Sequence, residues 1–141
     1  MTNTVKNGAH GRLIKGWTLD NGLMLEVTDE SRKYYADFWN LKVVIRGQVK
    51  VQSEYLKTIV PLNPYEQEAK DALGTEVAYC RELTRIGVRE AEKDEIIHKL
   101  LGSFEENTLP YLQYPSFPEK LVRSQWKNMS EELNRNEGEV Q

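Results

Sequence analysis

The sequence predicts an α+β fold: an antiparallel β-meander of three to four strands over residues 12–60, followed by three helices over 64–133 packed on one face of the sheet. Three observations carry that prediction. Apolar residues alternate with polar ones before Asn63-Pro64 and recur every three or four positions after it. An Asn21-Gly22 pair sits between apolar runs where a hairpin turn belongs, and helix-capping residues stand at Asn63 and Ser116.

The first strands flank Asp20-Asn21-Gly22, with Trp17 and Leu19 before it and Leu23, Leu25 and Val27 after it. Asn-Gly favours a type I′ turn because both central residues need positive φ, so a hairpin centred on this pair is expected. Leu19 and Leu23 then share the buried face, and Glu26 and Thr28 face outward. Beyond the polar turn Asp29 to Lys33, Trp39, Leu41, Val43, Ile45, Val49 and Val51 all hold odd positions. One face of this strand is core and the other meets water. Gly47 interrupts the alternation, which predicts a bend or break there, and a further strand is expected through Tyr55 to Val60.

Asn63 as N-cap, Pro64 at N1 and Glu66 at N3 open the first helix. Its expected stripe is Tyr65, Ala69, Ala72, Leu73, Val77, Cys80 and Leu83, ending at Gly87 as C′ with Val88 packed on Leu83. A second helix starts among Glu90, Glu92, Asp94 and Glu95, which favour the positive end of the helix dipole, and buries Ile96, Ile97, Leu100, Leu101 and Phe104 before fading near Asn107. The short link at Gly87-Val88 makes these two an antiparallel helical hairpin. Leu109 to Pro118 holds three of the five prolines and reads as an extended crossover. Ser116 and Glu119 then cap a third helix along Leu121, Val122, Trp126, Met129 and Leu133.

The chain of 141 residues therefore divides into a disordered N-terminus at 1–11, a single domain at 12–133 and a disordered tail at 134–141, where nothing apolar asks for burial. A lone cysteine makes no intramolecular disulfide, no apolar run is long enough to span a bilayer, and no signal-peptide pattern opens the chain, so the cytoplasm is expected. A net charge of −3 argues against indiscriminate binding to phosphate backbones. Charge is nonetheless uneven. Six basic residues face two acidic ones between Arg32 and Lys57, whereas acidic residues outnumber basic ones by eleven to six between Tyr65 and Asn107, which predicts complementarity between sheet and helical layers.

No catalytic, cofactor or metal signature emerges. His98 borders the apolar stripe of the second helix with no nucleophile or orienting acid near it in sequence, and Cys80 sits on the first helix's stripe as a core residue. One cysteine and two distant histidines make no zinc spacing, and no glycine-rich phosphate loop follows a strand. No cofactor is expected.

Two groups remain as candidate binding residues. Lys42, Arg46 and Lys50 form an outward basic stripe that either decorates a half-exposed sheet or meets an anionic partner; the first reading is preferred because no outward aromatics interleave for base stacking. Tyr111 and Tyr114 either cross the domain and bury their rings, the preferred reading, or present them to a partner. The expected function is non-enzymatic binding or an adaptor role toward another protein or a second copy. Its alternatives are a small-ligand binder or enzyme with a pocket near Tyr111, Tyr114 and Trp39, and nucleic-acid binding through the basic stripe.

Leu19-Asp20-Asn21-Gly22-Leu23, the Asp29 to Arg32 turn, Trp39 with its alternating strand, and Leu109-Pro110-Tyr111-Leu112 resemble segments of small uncharacterised bacterial proteins of unknown function. The likeness spans most of residues 12–125, and its motifs form the fold without being catalytic. It implies a bacterial cytoplasmic protein and brings no activity with it.

Overall fold

The computed structural model describes residues 11–57 and 63–140, with side chains to residue 136. The fold is α+β, with an antiparallel sheet of five strands: β1 (Arg12–Thr18), β2 (Met24–Asp29), β3 (Arg32–Tyr35), β4 (Phe38–Lys50) and β5 (Glu76–Arg89). The helices are α1 (Pro64–Leu73), α2 (Lys93–Asn107), the single turn α3 (Leu109–Leu112) and α4 (Phe117–Val140). β4 is the spine. Its one side takes β2, with Glu26 opposite Arg46, and then β3, with Arg32 opposite Asn40; its other side takes β5 from Phe38–Arg89 to Lys50–Glu76. β1 closes the sheet beyond β2.

The odd-numbered face of β4 is buried as its alternation requires: Leu41, Val43, Ile45 and Val49 join Leu25, Val27, Val77 and Val88 in one core. The helices cover this face alone, contributing Ala69, Leu73, Ile97, Phe104, Leu112, Phe117, Val122 and Trp126 to the same core. Val44 points the other way, on the same face as Lys42 and Arg46, and is nonetheless fully buried. Thr28, its partner on β2 and expected to meet water, is buried on the same outer face because Glu30 and Arg46 close over its hydroxyl.

The β1–β2 hairpin forms at the expected residues with a different turn. Gly22 N donates to Leu19 O at 2.9 Å and Leu19 N to Leu23 O at 2.9 Å, but only Gly22 has positive φ (92°), so the turn is not type I′. Leu19 and Leu23 are both buried. β4 passes Gly47 without a break, its register unbroken from Lys42 to Lys50 against β5. Glycine stands there because a Cβ would lie 2.7 Å from Leu25 Cδ2 and 3.0 Å from Met24 O.

The largest departure from expectation lies after Leu73. The capping box at Asn63 and Glu66 forms with both its bonds, yet α1 ends at Gly74, with φ at 77°, and the chain returns to a strand of 14 residues. Pairing along the whole of β4 overrides the local helical spacing of Val77, Cys80 and Leu83, and the expected helical hairpin does not exist. Gly87 has the expected positive φ (70°), but it serves a bulge in β5, where the register against β4 shifts between Trp39 and Leu41. Cys80 is consequently exposed, not core.

α2 matches its expected face, burying Ile97 and Phe104, and follows a 3-10 turn at Glu90–Glu92. Leu109–Pro118 is not extended: Pro110 occupies an early helical position where its missing N–H costs nothing, and Leu112 N and Gln113 N bond back to Thr108 O and Leu109 O. α4 buries Val122 and Trp126, with Trp126 Nε1 donating to Glu66 O at 2.8 Å, and it continues through Val140 across the stretch expected to be disordered. Tyr55 and Leu56 belong to a 3-10 turn at Ser53–Leu56 that Lys57 ends, so no strand forms there, while residues 58–60 of the expected strand and the N-terminal segment 1–10 lie outside the described residues.

Candidate functional site

The helices pack on one side, and among the described residues nothing covers the opposite sheet face. A concavity of about 1210 Å³ runs over it between Gly16, Met24, Arg46, Gln48 and Cys80 and continues round the β1–β2 turn to Asn21, Tyr79 and Pro118. There it meets a ladder of rings. Tyr79 contacts Phe117 edge-on at 6.1 Å, Phe117 contacts Tyr111 at 5.8 Å, and Tyr111 contacts Tyr114 at 6.5 Å with perpendicular planes.

Only the first half of this ladder is core. Phe117 is buried and Tyr79 half-buried, whereas Tyr111 and Tyr114 are 53% and 60% exposed. Burial of those two rings, the reading preferred from sequence, is therefore overturned. The single turn of α3 explains the outcome: Leu109 and Leu112 point into the core, which turns Tyr111 outward. Burial pushes the Tyr79 phenol above its ordinary pKa, against the pull of neighbouring Arg81.

The backbone beneath the tyrosines is fixed from the far end of the sequence. Asn21 Nδ2 donates to Leu112 O at 2.7 Å and to Tyr114 O at 2.8 Å, while its Oδ1 accepts from Leu23 N at 3.0 Å. Sequence reading assigned Asn21 only to a turn and did not find Phe117 or Tyr79 as parts of this surface.

Lys42, Arg46 and Lys50 do line the open face, but two of them are already paired. Lys42 Nζ lies 3.6 Å from Glu82, and Arg46 lies 2.9 Å from Glu30 and donates to Thr28 Oγ1 at 3.0 Å. Lys50 stands opposite Glu76. Partial burial alone would raise the Glu30 carboxyl, but bonds from Arg46 and Thr28 and the charges of Arg46 and Lys42 outweigh it and hold its pKa below the ordinary value. Among the described residues, Arg12–Asp29, Lys42–Glu82 and Arg46–Glu30 pair within the sheet and its loops, whereas Lys15–Glu105 at 4.0 Å and Lys33–Glu90 at 3.7 Å link strands to helical segments.

A second aromatic group, of which the sequence pointed only to Trp39, stands at the opposite end of the sheet. Arg89 lies over the Phe38 ring at 5.6 Å and Lys93 over Trp39 at 3.7 Å, with Tyr34 and Tyr35 exposed in β3 and Ala36 at φ 51° in the turn. Trp39 and the tyrosines Tyr111 and Tyr114 therefore do not meet. Cys80 is on the open face opposite Arg46, and His98 is exposed on α2 across the sheet from it. Among the described residues, no three His, Cys, Asp or Glu side chains come together to hold a metal ion, and no helix is long and apolar enough to cross a membrane.

No family model matches the chain, and neither curated proteins nor solved structures give a match.

Proposed function

We propose that the chain is a non-enzymatic binding protein that receives a protein partner on the Tyr111–Tyr114 shelf and the adjoining concave sheet face. The observation that carries this reading is the pair of outward tyrosine rings on a backbone pinned by Asn21. Tyrosine supplies large contact area at low entropic cost, and a fixed backbone lowers it further. The concavity favours a macromolecule over a small ligand, because small-molecule sites enclose their ligand within roughly 300–1,000 Å³. Nucleic acid ranks below protein, since Lys42 and Arg46 already spend their charge on Glu82 and Glu30. A lone exposed cysteine fits a reducing compartment, and we read the protein as cytoplasmic and bacterial.

Replacing Tyr111 by the photo-crosslinker benzoylphenylalanine in living cells tests the reading, with the same replacement at exposed Glu131 as control. A protein adduct at position 111 and none at 131 supports it. Irradiation that yields no adduct at 111, or equal adducts at both, contradicts it.

A further inference from the structure

Among the described residues, three strands of the sheet, β1, β3 and β5, each have a single partner strand. β1 carries an irregularity between Leu13 and Lys15, and β3 is four residues long with another between Lys33 and Tyr35; short, irregular edges discourage further pairing. β5 lacks that protection over most of its length. Its register against β4 is unbroken from Glu76 opposite Lys50 to Arg85 opposite Leu41.

The period of two decides which backbone groups face outward. Thr75 O accepts from Val51 N at 2.9 Å on the β4 side, whereas Ala78 O is reached from the other side by Gln125 Nε2 of α4 at 2.8 Å. Even-numbered Cys80, Glu82 and Thr84 therefore turn N–H and C=O away from β4. Gln125 shields the rung before them.

The side chains along this edge have a definite charge pattern. Arg81, Leu83 and Arg85 lie on the helix-covered face, opposite Ile45, Val43 and Leu41, and both arginines are exposed. Among the described residues no carboxylate forms an ion pair with either, although Arg81 hydrogen-bonds Tyr79. We propose that β5 accepts an extended segment of a partner protein as a sixth strand along Cys80–Thr84, selected for acidic, apolar, acidic alternation against Arg81, Leu83 and Arg85. A second copy of β5 fits less well. Two-fold pairing centred on Leu83 sets Arg81 against Arg85 twice, and pairing centred on Glu82 sets two carboxylates together. The proposal rests on the binding-protein reading but not on the tyrosine shelf.

Amide hydrogen exchange by NMR tests it, with the peptide Thr-Glu-Thr-Val-Thr-Glu-Thr as probe, whose Glu, Val and Glu share one face, and with its counterpart carrying lysine in place of both glutamates as control. The glutamate peptide slows exchange at Cys80, Glu82 and Thr84. Arg81→Glu with Arg85→Glu, both at exposed positions, weakens that peptide by about tenfold and lets the lysine peptide bind. Tyr111→Ala with Tyr114→Ala binds the glutamate peptide like the wild type, so failure of the shelf and failure of the edge are told apart. Unchanged exchange at saturating peptide, or equal binding of both peptides, overturns the proposal. Protection at these amides that rises with protein concentration alone also overturns it, by assigning the edge to a second copy.

Discussion

The side-chain amide of Asn21 is bonded to the carbonyl of Leu112, 91 positions away in the chain, at 2.7 Å. Its second Nδ2 bond, to Tyr114 O, and the Leu23 N–H on its Oδ1 fix the amide's orientation and join the β1–β2 turn to the tyrosine shelf. Asn21→Ala removes both donors and leaves a part-buried carbonyl without its partner, for a loss of about 1–3 kcal/mol in urea unfolding. Asn21→Asp loses more than Asn21→Ala although it keeps the acceptor for Leu23, because it sets a carboxylate against two carbonyl oxygens. Equal losses for the two variants would remove the donor role.

Gly47 is a steric requirement of the β2–β4 pairing. Gly47→Ala drives a methyl into Leu25 Cδ2 and Met24 O and lowers stability by about 1–3 kcal/mol. In a Leu25→Ala background the same change costs less, since the nearer clash is gone. A double-mutant cycle in urea reads this coupling directly.

Glu30 makes stability depend on acid. Its folded pKa lies below the ordinary value, so its contribution is full above the unfolded pKa and is lost as pH falls through the folded one. Stability of the wild type relative to Glu30→Gln therefore falls from about pH 5 downward. Parallel pH profiles for the two proteins would contradict the Arg46–Glu30–Thr28 network.

Exposure of Cys80 follows from β5 and not from a helix. A thiol-specific maleimide labels the native protein at a rate close to that of a free cysteine peptide. Protection until denaturant is added would instead restore the helical placement.

The parts of the fold legible in sequence are those where one local pattern has one structural solution. Odd positions in Leu41–Val49 mark a core face because a strand alternates, and Asn63-Pro64 with Glu66 marks a helix start because each residue serves a particular unpaired backbone group. Residues 76–89 satisfy two patterns at once. Val77, Cys80 and Leu83 fit a helix, while Val77, Tyr79 and Leu83 fit a strand whose reward is the free side of β4, a partner no local window contains. Gly74 and the β-branched Thr75, Val77, Thr84, Ile86 and Val88 were the available signals. At the site, Tyr111 and Tyr114 were identifiable as aromatic and near prolines, but their outward direction depends on Leu109 and Leu112 filling the core first.

The most direct measurement is native mass spectrometry of the untagged protein from its own host, beside a Tyr111→Ala and Tyr114→Ala variant. The expected result is a protein partner retained by the wild type and lost by the variant, with the variant's stability unchanged. A partner retained equally by both, or a small molecule as the retained mass, would contradict recognition through the tyrosine shelf.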